Sequence, residues 1–346
     1  METELNFEEI ETVLDQIMGK SPGFEKMVGE VMNGAGIIHP SRWIAIFTDT
    51  LMGQLKIHGQ SVGYLCILII SAAVLAVIAK AFRNKQISDM GFYMIFLLLF
   101  LILMKSFGIC YELTASVILD LTDFMKVLMP AYLMAAAMGA YSASAIVYYE
   151  GFLFLIYYIH KFVTVFLLPA TKAYVLIGML GCLGKEEQLS KGREGLKKLI
   201  LFALKAMIGG TAGIQMIQGM ITPAIDEMKH TIVSKGVSSL GSIGNVAQNV
   251  TDVILGSGAL LKNGIGAVAS VLIVSICLIP VIEVAGYVVF YHVLAAAAEP
   301  ISDRRLVQAL GQVGEGMELL VKLLFTVCAI FLLTIAIICA TTGGIG

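Results

Sequence analysis

The chain has 346 residues, 58% hydrophobic and only 14% charged, with a net charge of −2 and a mean hydropathy of +0.89. An ordinary soluble domain carries about 25% charged residues, so composition excludes a soluble globule, and the near-neutral charge excludes a nucleic-acid partner. Segments 65–79, 90–104, 127–149, 206–225, 264–282 and 323–346 contain no Asp, Glu, Lys or Arg. A helix needs about 20 mostly apolar residues to cross a bilayer, and its backbone groups must pair within the segment. The pattern predicts an all-α, polytopic transmembrane helical bundle with seven or eight spans.

Catalysis has no visible foothold. The sequence holds no Walker loop, HExxH or GxSxG. Six cysteines without a CxxC pair, mostly in apolar runs, read as small hydrophobes. Five histidines lack metal-ligand spacing. No catalytic residue, cofactor or metal is expected, and the chain does not read as an enzyme.

In chain order, residues 1–60 hold nine acidic and four basic side chains. Met1 is followed by Glu2, Glu4, Glu8 and Glu9 rather than by the basic start of a signal peptide. Phe7, Ile10, Val13, Leu14 and Ile17 predict short amphipathic helices interrupted around Ser21-Pro22-Gly23. A first span is expected over 61–82, closed by a loop with Lys80, Arg83 and Lys85. Lysine- and arginine-rich loops face the cytoplasm, which makes 1–60 an extracytoplasmic region and 61–346 a single polytopic membrane domain. A second span follows at 89–104.

Residues 105–128 carry two stripes at helical spacing. Ile109, Leu113, Val117, Leu121, Phe124 and Leu128 form the apolar one; Glu112, Ser116, Asp120 and Asp123 form the acidic one. The pattern suits a membrane surface, a partner helix or a plain solvated face. A span over 127–149, rich in Ala, Ser and Gly, suits burial among other helices. Residues 151–184 are one long apolar stretch, and Pro169 is expected to break it into two helices.

The most basic loop, 185–198, is expected in the cytoplasm. A span at 199–221 leads to a polar stretch, 222–262, expected outside. Within it Ile243, Val246, Val250 and Ile254 oppose Asn245, Gln248, Asn249 and Asp252. A second long apolar stretch, 263–298, is expected to break at Pro280. After Glu299 and Pro300, Ser302 reads as a helix N-cap with Asp303 beside it. Arg304 and Arg305 then belong in water or near headgroups. Residues 299–305 are a plain helix start or, in a sharper reading, a partner-binding turn. Leu306, Leu310, Val313, Met317, Leu320 and Leu324 form an apolar stripe into the last span.

FLLPATKAY (166–174) parallels CLIPVIEVAGY (277–287), each with a charge three residues after its proline. An internal repeat of about 90–200 on 201–340 accounts for this, as does chance similarity of two proline-bearing helices. A lone intramembrane charge is costly, so Lys172 and Glu283 are expected to meet or share one polar cavity. Separate snorkelling to an interface is the alternative.

The ordered segments ALLKNGIG (259–266), CLIPVIE (277–283) and AAAAEPISDRRLVQAL (295–310) resemble the stage III sporulation protein AE family of endospore-forming bacteria. The resemblance implies an integral, multi-pass component of the channel or feeding-tube complex linking mother cell and forespore. It implies a place in the mother-cell membrane around the forespore and a role in late forespore gene expression. Implied partners are the other stage III A proteins and, indirectly, the forespore protein Q; membrane lipid is expected from the apolar runs, and a homo-oligomer is left open by the residues. The residues alone also accommodate a stand-alone secondary transporter using Lys172 and Glu283, or a non-conducting membrane scaffold.

Overall fold

The structure, a computed structural model, describes residues 7–18, 23–32, 85–138, 142–183, 187–238, 242–300 and 302–342. Among these residues the ordered elements are all helical. Two short helices, α1 (Glu8–Met18) and α2 (Phe24–Met32), precede α3 (Lys85–Met138). Then come α4 (Ser142–Phe162), a π-helical turn (Val163–Leu167) and α5 (Leu168–Leu183) in one unbroken path. The chain continues in α6 (Glu187–Ser238), α7 (Ser242–Ala298) and α8 (Arg304–Thr342). Five candidate spans among the described residues are long and apolar enough to cross a membrane: Met90–Ala137, Glu150–Leu183, Ser190–Ile217, Leu260–Ala298 and Arg304–Ala340. They fit a multi-pass membrane protein. The expected span 61–82 and the side chains of 243–254 lie outside the described residues.

α8 is the axis of the bundle, packing on α3, α5, α6 and α7. Its stripe Leu306, Leu310, Val313, Met317, Leu320 and Leu324 is buried as the spacing predicts. The apolar stripe of α3 is buried too at Val117, Leu121, Phe124 and Leu128, while Glu112 and Ser116 face outward. Ile10 and Leu14 of α1 and Phe24 and Val28 of α2 join the same core. The rings of Phe7 and Phe24 lie 5.6 Å apart and link the two short helices. The amphipathic N-terminal segment therefore packs directly on the bundle, α1 on α3 and α2 on α7.

Helix boundaries depart from the sequence reading in two ways. The expected pieces 89–104, 105–128 and the start of 127–149 are one helix, α3, which runs through Pro130 and ends at Met138. A run without charges reports compatibility with lipid but not where the backbone turns, so 127–149 is divided between α3 and α4. Neither Pro169 nor Pro280 ends a helix. Pro280 lies inside α7. A membrane helix tolerates one lost backbone hydrogen bond as a local adjustment because neighbouring helices hold it in place. At Pro169 that adjustment is visible. The Leu168 N–H donates to Val163 O, an i→i−5 bond, and the widened turn gives the proline ring room. The Thr171 hydroxyl donates to Leu167 O at 2.9 Å just beyond it.

Candidate functional site

The described helices meet at two levels, which define the two ends of the bundle. At one end, Arg305 sits over the Phe92 ring at 5.1 Å, so the starts of α8 and α3 lie together. A Cβ on Gly178 would contact Gln312, which puts the end of α5 beside the first third of α8. At the other end, the Tyr132 hydroxyl and Cys339 Sγ are 3.0 Å apart, and the Gln215 amide donates to Thr334 Oγ1. The start of α3, the end of α5 and the starts of α6 and α8 thus share one face, the basic face. The α2 helix, which lies against Gly264, sits at the opposite end.

Near the basic face, three helices converge on one carboxylate. The Tyr174 hydroxyl (α5) donates to Glu315 Oε2 (α8) at 2.5 Å, and Lys197 Nζ (α6) lies 2.8 Å from the same oxygen. Lys197 also sits 6.0 Å from the centroid of the Tyr174 ring. Charge-assisted hydrogen bonds in a partly desolvated setting are stronger than neutral ones, and both charged side chains keep only about a third of their surface exposed, 33% for Lys197 and 32% for Glu315. Glycines allow the close approach. Gly316 follows the carboxylate and faces Val175 and Phe107, while Gly178 faces Gln312, whose buried Oε1 makes no hydrogen bond. Small residues let membrane helices pack backbone to backbone. The arrangement couples the positions of α5, α6 and α8 through one charge.

Sequence reasoning missed this junction. Its available signal was a glutamate between two glycines, Gly314 and Gly316, set between the apolar stripe positions Val313 and Met317. It also missed Lys262, which is 1% exposed on α7 beside the α2–α7 crossing, where Gly264 meets Met32 and Val28. The segment 259–266 therefore lies at a helix junction, which physically accounts for its two glycines. Gly266 faces Tyr132 and Cys339 in the same way.

The predicted residues fall in two places. Lys172 Nζ lies 5.6 Å from the centroid of the Tyr111 ring, and Glu283 comes within electrostatic range of Cys110. Both therefore approach α3 at successive residues. The ion pairs formed among the described residues do not include these two. At the turn after α7, Asp303 rather than Ser302 is the N-cap, accepting from the Arg305 N–H at 3.0 Å. The helix begins one residue later than the serine reading requires, and a carboxylate suits the positive end of the helix dipole. The Ser302 hydroxyl is buried without a partner, and Glu299 and Arg304 are exposed.

The family model described as "Stage III sporulation protein AE" matches residues 23–342. Stage III sporulation protein AE of Bacillus subtilis (strain 168) is 20% identical over 310 residues, covering 89% of this chain and 78% of that protein. No solved structure matches. The match begins at α2 and runs through α8, leaving out only α1 among the packed helices described, and the chain belongs to the stage III sporulation protein AE family.

Proposed function

We propose that this chain is an integral membrane component of the sporulation channel linking mother cell and forespore. It sits in the mother-cell membrane around the forespore, supports transport across it, and sustains late forespore gene expression. Its partners are the other stage III A proteins and, across the intermembrane space, the forespore protein Q. The basic face points to the mother-cell cytoplasm, and the N-terminal helices lie on the opposite side. Residues 61–82 add a further span, and α3 with α4–α5 repeats in α6 with α7, each second arm carrying its proline in its later half.

The observation that carries the reading is the outward acidic face of α3, Glu112 to Asp123, on a helix otherwise built to cross a membrane. Hydrocarbon cannot cover carboxylates cheaply, so that face suits protein or water, as a member of an assembly requires. The Tyr174–Glu315–Lys197 junction supports the alternative of a scaffold that holds its partners without conducting. Deleting the gene in its sporulating host and reading a late forespore reporter tests the main reading. Signal should collapse and return with the wild-type gene, and the chain should co-purify with other stage III A proteins. Normal reporter activity in the deletion sinks it. In liposomes, flux by the chain alone would point instead to a stand-alone transporter.

A further inference from the structure

Two outward faces of the bundle carry charge where lipid would otherwise lie against them, and α8 serves as the ruler. Phe107 and Lys197 stand beside Gly316 and Glu315, while Tyr132 and Gln215 stand beside Cys339 and Thr334. Between these levels, beyond Lys322, α8 carries no charge. Over the same height α3 shows Ser116, Asp120 and Asp123, with Leu119 exposed between them, while Glu112 stands level with Lys322 and Ile109 is exposed just below it. Lys126 answers only Asp123, at 2.7 Å, so the face stays net negative.

On α6, Lys205, Gly209 and Gly213 recur at steps of four and form one stripe. Lys205 and Gly209 are exposed, and a Cβ on either glycine would meet nothing within 4 Å. Phe202 and Ile208 are exposed beside the lysine. Each face mixes charge with large apolar groups, which suits neither lipid nor water. Both α3 and α6 pack on α8 but not along one another, and both start from the basic face. One flank thus offers carboxylates, and another offers an ammonium above a glycine seam, at the same height and with the same helix direction.

We propose that a second copy of this chain covers these faces, the acidic face of α3 in one copy docking on the Lys205–Gly209–Gly213 stripe of α6 in the next. The ammonium lies between Glu112 and Asp120, and the glycines let the two backbones approach, as small residues do at membrane helix contacts. The two surfaces differ, so the contact is head-to-tail, and repetition about an axis along the bilayer normal closes a ring. This rests on the membrane-embedded reading above.

The test uses the full chain purified into nanodiscs. In a background with its six cysteines replaced by alanine, Ser116→Cys with Gly209→Cys should give a ladder of multimers with a short bis-maleimide. Neither single variant should do so. With native cysteines kept, Lys205→Glu should weaken self-association at least tenfold, and adding Glu112→Lys and Asp120→Lys should restore it. A monomeric wild type, cross-linking by Gly209→Cys alone, failure of the charge swap to restore assembly, or assembly only when other stage III A proteins are added would each overturn the proposal. Carbonate extraction separates the two levels of failure. A chain that leaves the membrane refutes the embedded reading, whereas a chain that stays but remains monomeric refutes only the ring.

Discussion

Gly316 of α8 faces Val175 of α5 so closely that a Cβ at the glycine would overlap Val175 Cγ2. Alanine there must push the two helices apart beside the Glu315 junction. Overpacking costs typically 1–3 kcal/mol, against roughly 1 kcal/mol gained from alanine's helix propensity. Gly316→Ala should therefore lower the melting temperature in detergent, and Val175→Ala in the same chain should recover most of the loss. At Gly178 the obstacle is the end of the flexible Gln312 side chain, so Gly178→Ala should cost less. Equal losses at the two glycines would contradict this account.

Glu315 is the shared acceptor for Tyr174 and Lys197. Glu315→Ala strands both donors and should destabilise the fold by about 1–2 kcal/mol, the upper range for charged hydrogen bonds being reduced by partial exposure. Glu315→Gln keeps an acceptor for the tyrosine and should lose less. Thermal unfolding of both variants, with Tyr174→Phe for comparison, checks the order.

Asp303→Ala removes the cap of α8 and should cost about 1 kcal/mol. Ser302→Ala should be neutral or slightly stabilising, because it removes a buried hydroxyl that has no partner. A larger loss at Ser302 than at Asp303 would restore the serine cap.

What was legible in the sequence, and what was not, divides along physical lines. Periodicity located the faces of α1, α3 and α8, because a stripe such as Leu306 to Leu324 is dictated by burial whatever the neighbours are. The boundaries of α3 and the unbroken path through Pro169 were not legible. Proline sets a local preference, whereas a π turn held between packed helices is a tertiary response to it. The Tyr174–Glu315–Lys197 junction escaped because its members are far apart in the chain and none belongs to a motif. Lys172 and Glu283 drew attention as charges in apolar runs, but nothing in the residues shows that both approach α3, one at Tyr111 and one near Cys110.

Lys172 and Glu283 are proposed to act as one polar site across α3. A double-mutant cycle with Lys172→Ala and Glu283→Ala should then show a coupling above about 0.5 kcal/mol. Strict additivity would leave them as two separate charges, one held by the Tyr111 ring and one beside Cys110.

Placing the basic face in the cytoplasm makes Ser190 and Arg304 unreachable from outside. Single cysteines at these positions should resist an impermeant maleimide in intact cells and react after permeabilisation, whereas one at Glu25 should react at once. Labelling of position 190 in intact cells would invert the topology.

The junction also has a mechanical reading. From Lys197 to Ser238, α6 is a single rod of roughly 60 Å at 1.5 Å per residue, tied to α8 at Lys197–Glu315 and again at Gln215–Thr334. A tilt of roughly 5° about the second tie would sweep the far tip, roughly 35 Å beyond it, through about 3 Å. The ion pair thus sits on one arm of a lever that turns about Gln215, and loosening Glu315 would be felt at the opposite end of α6.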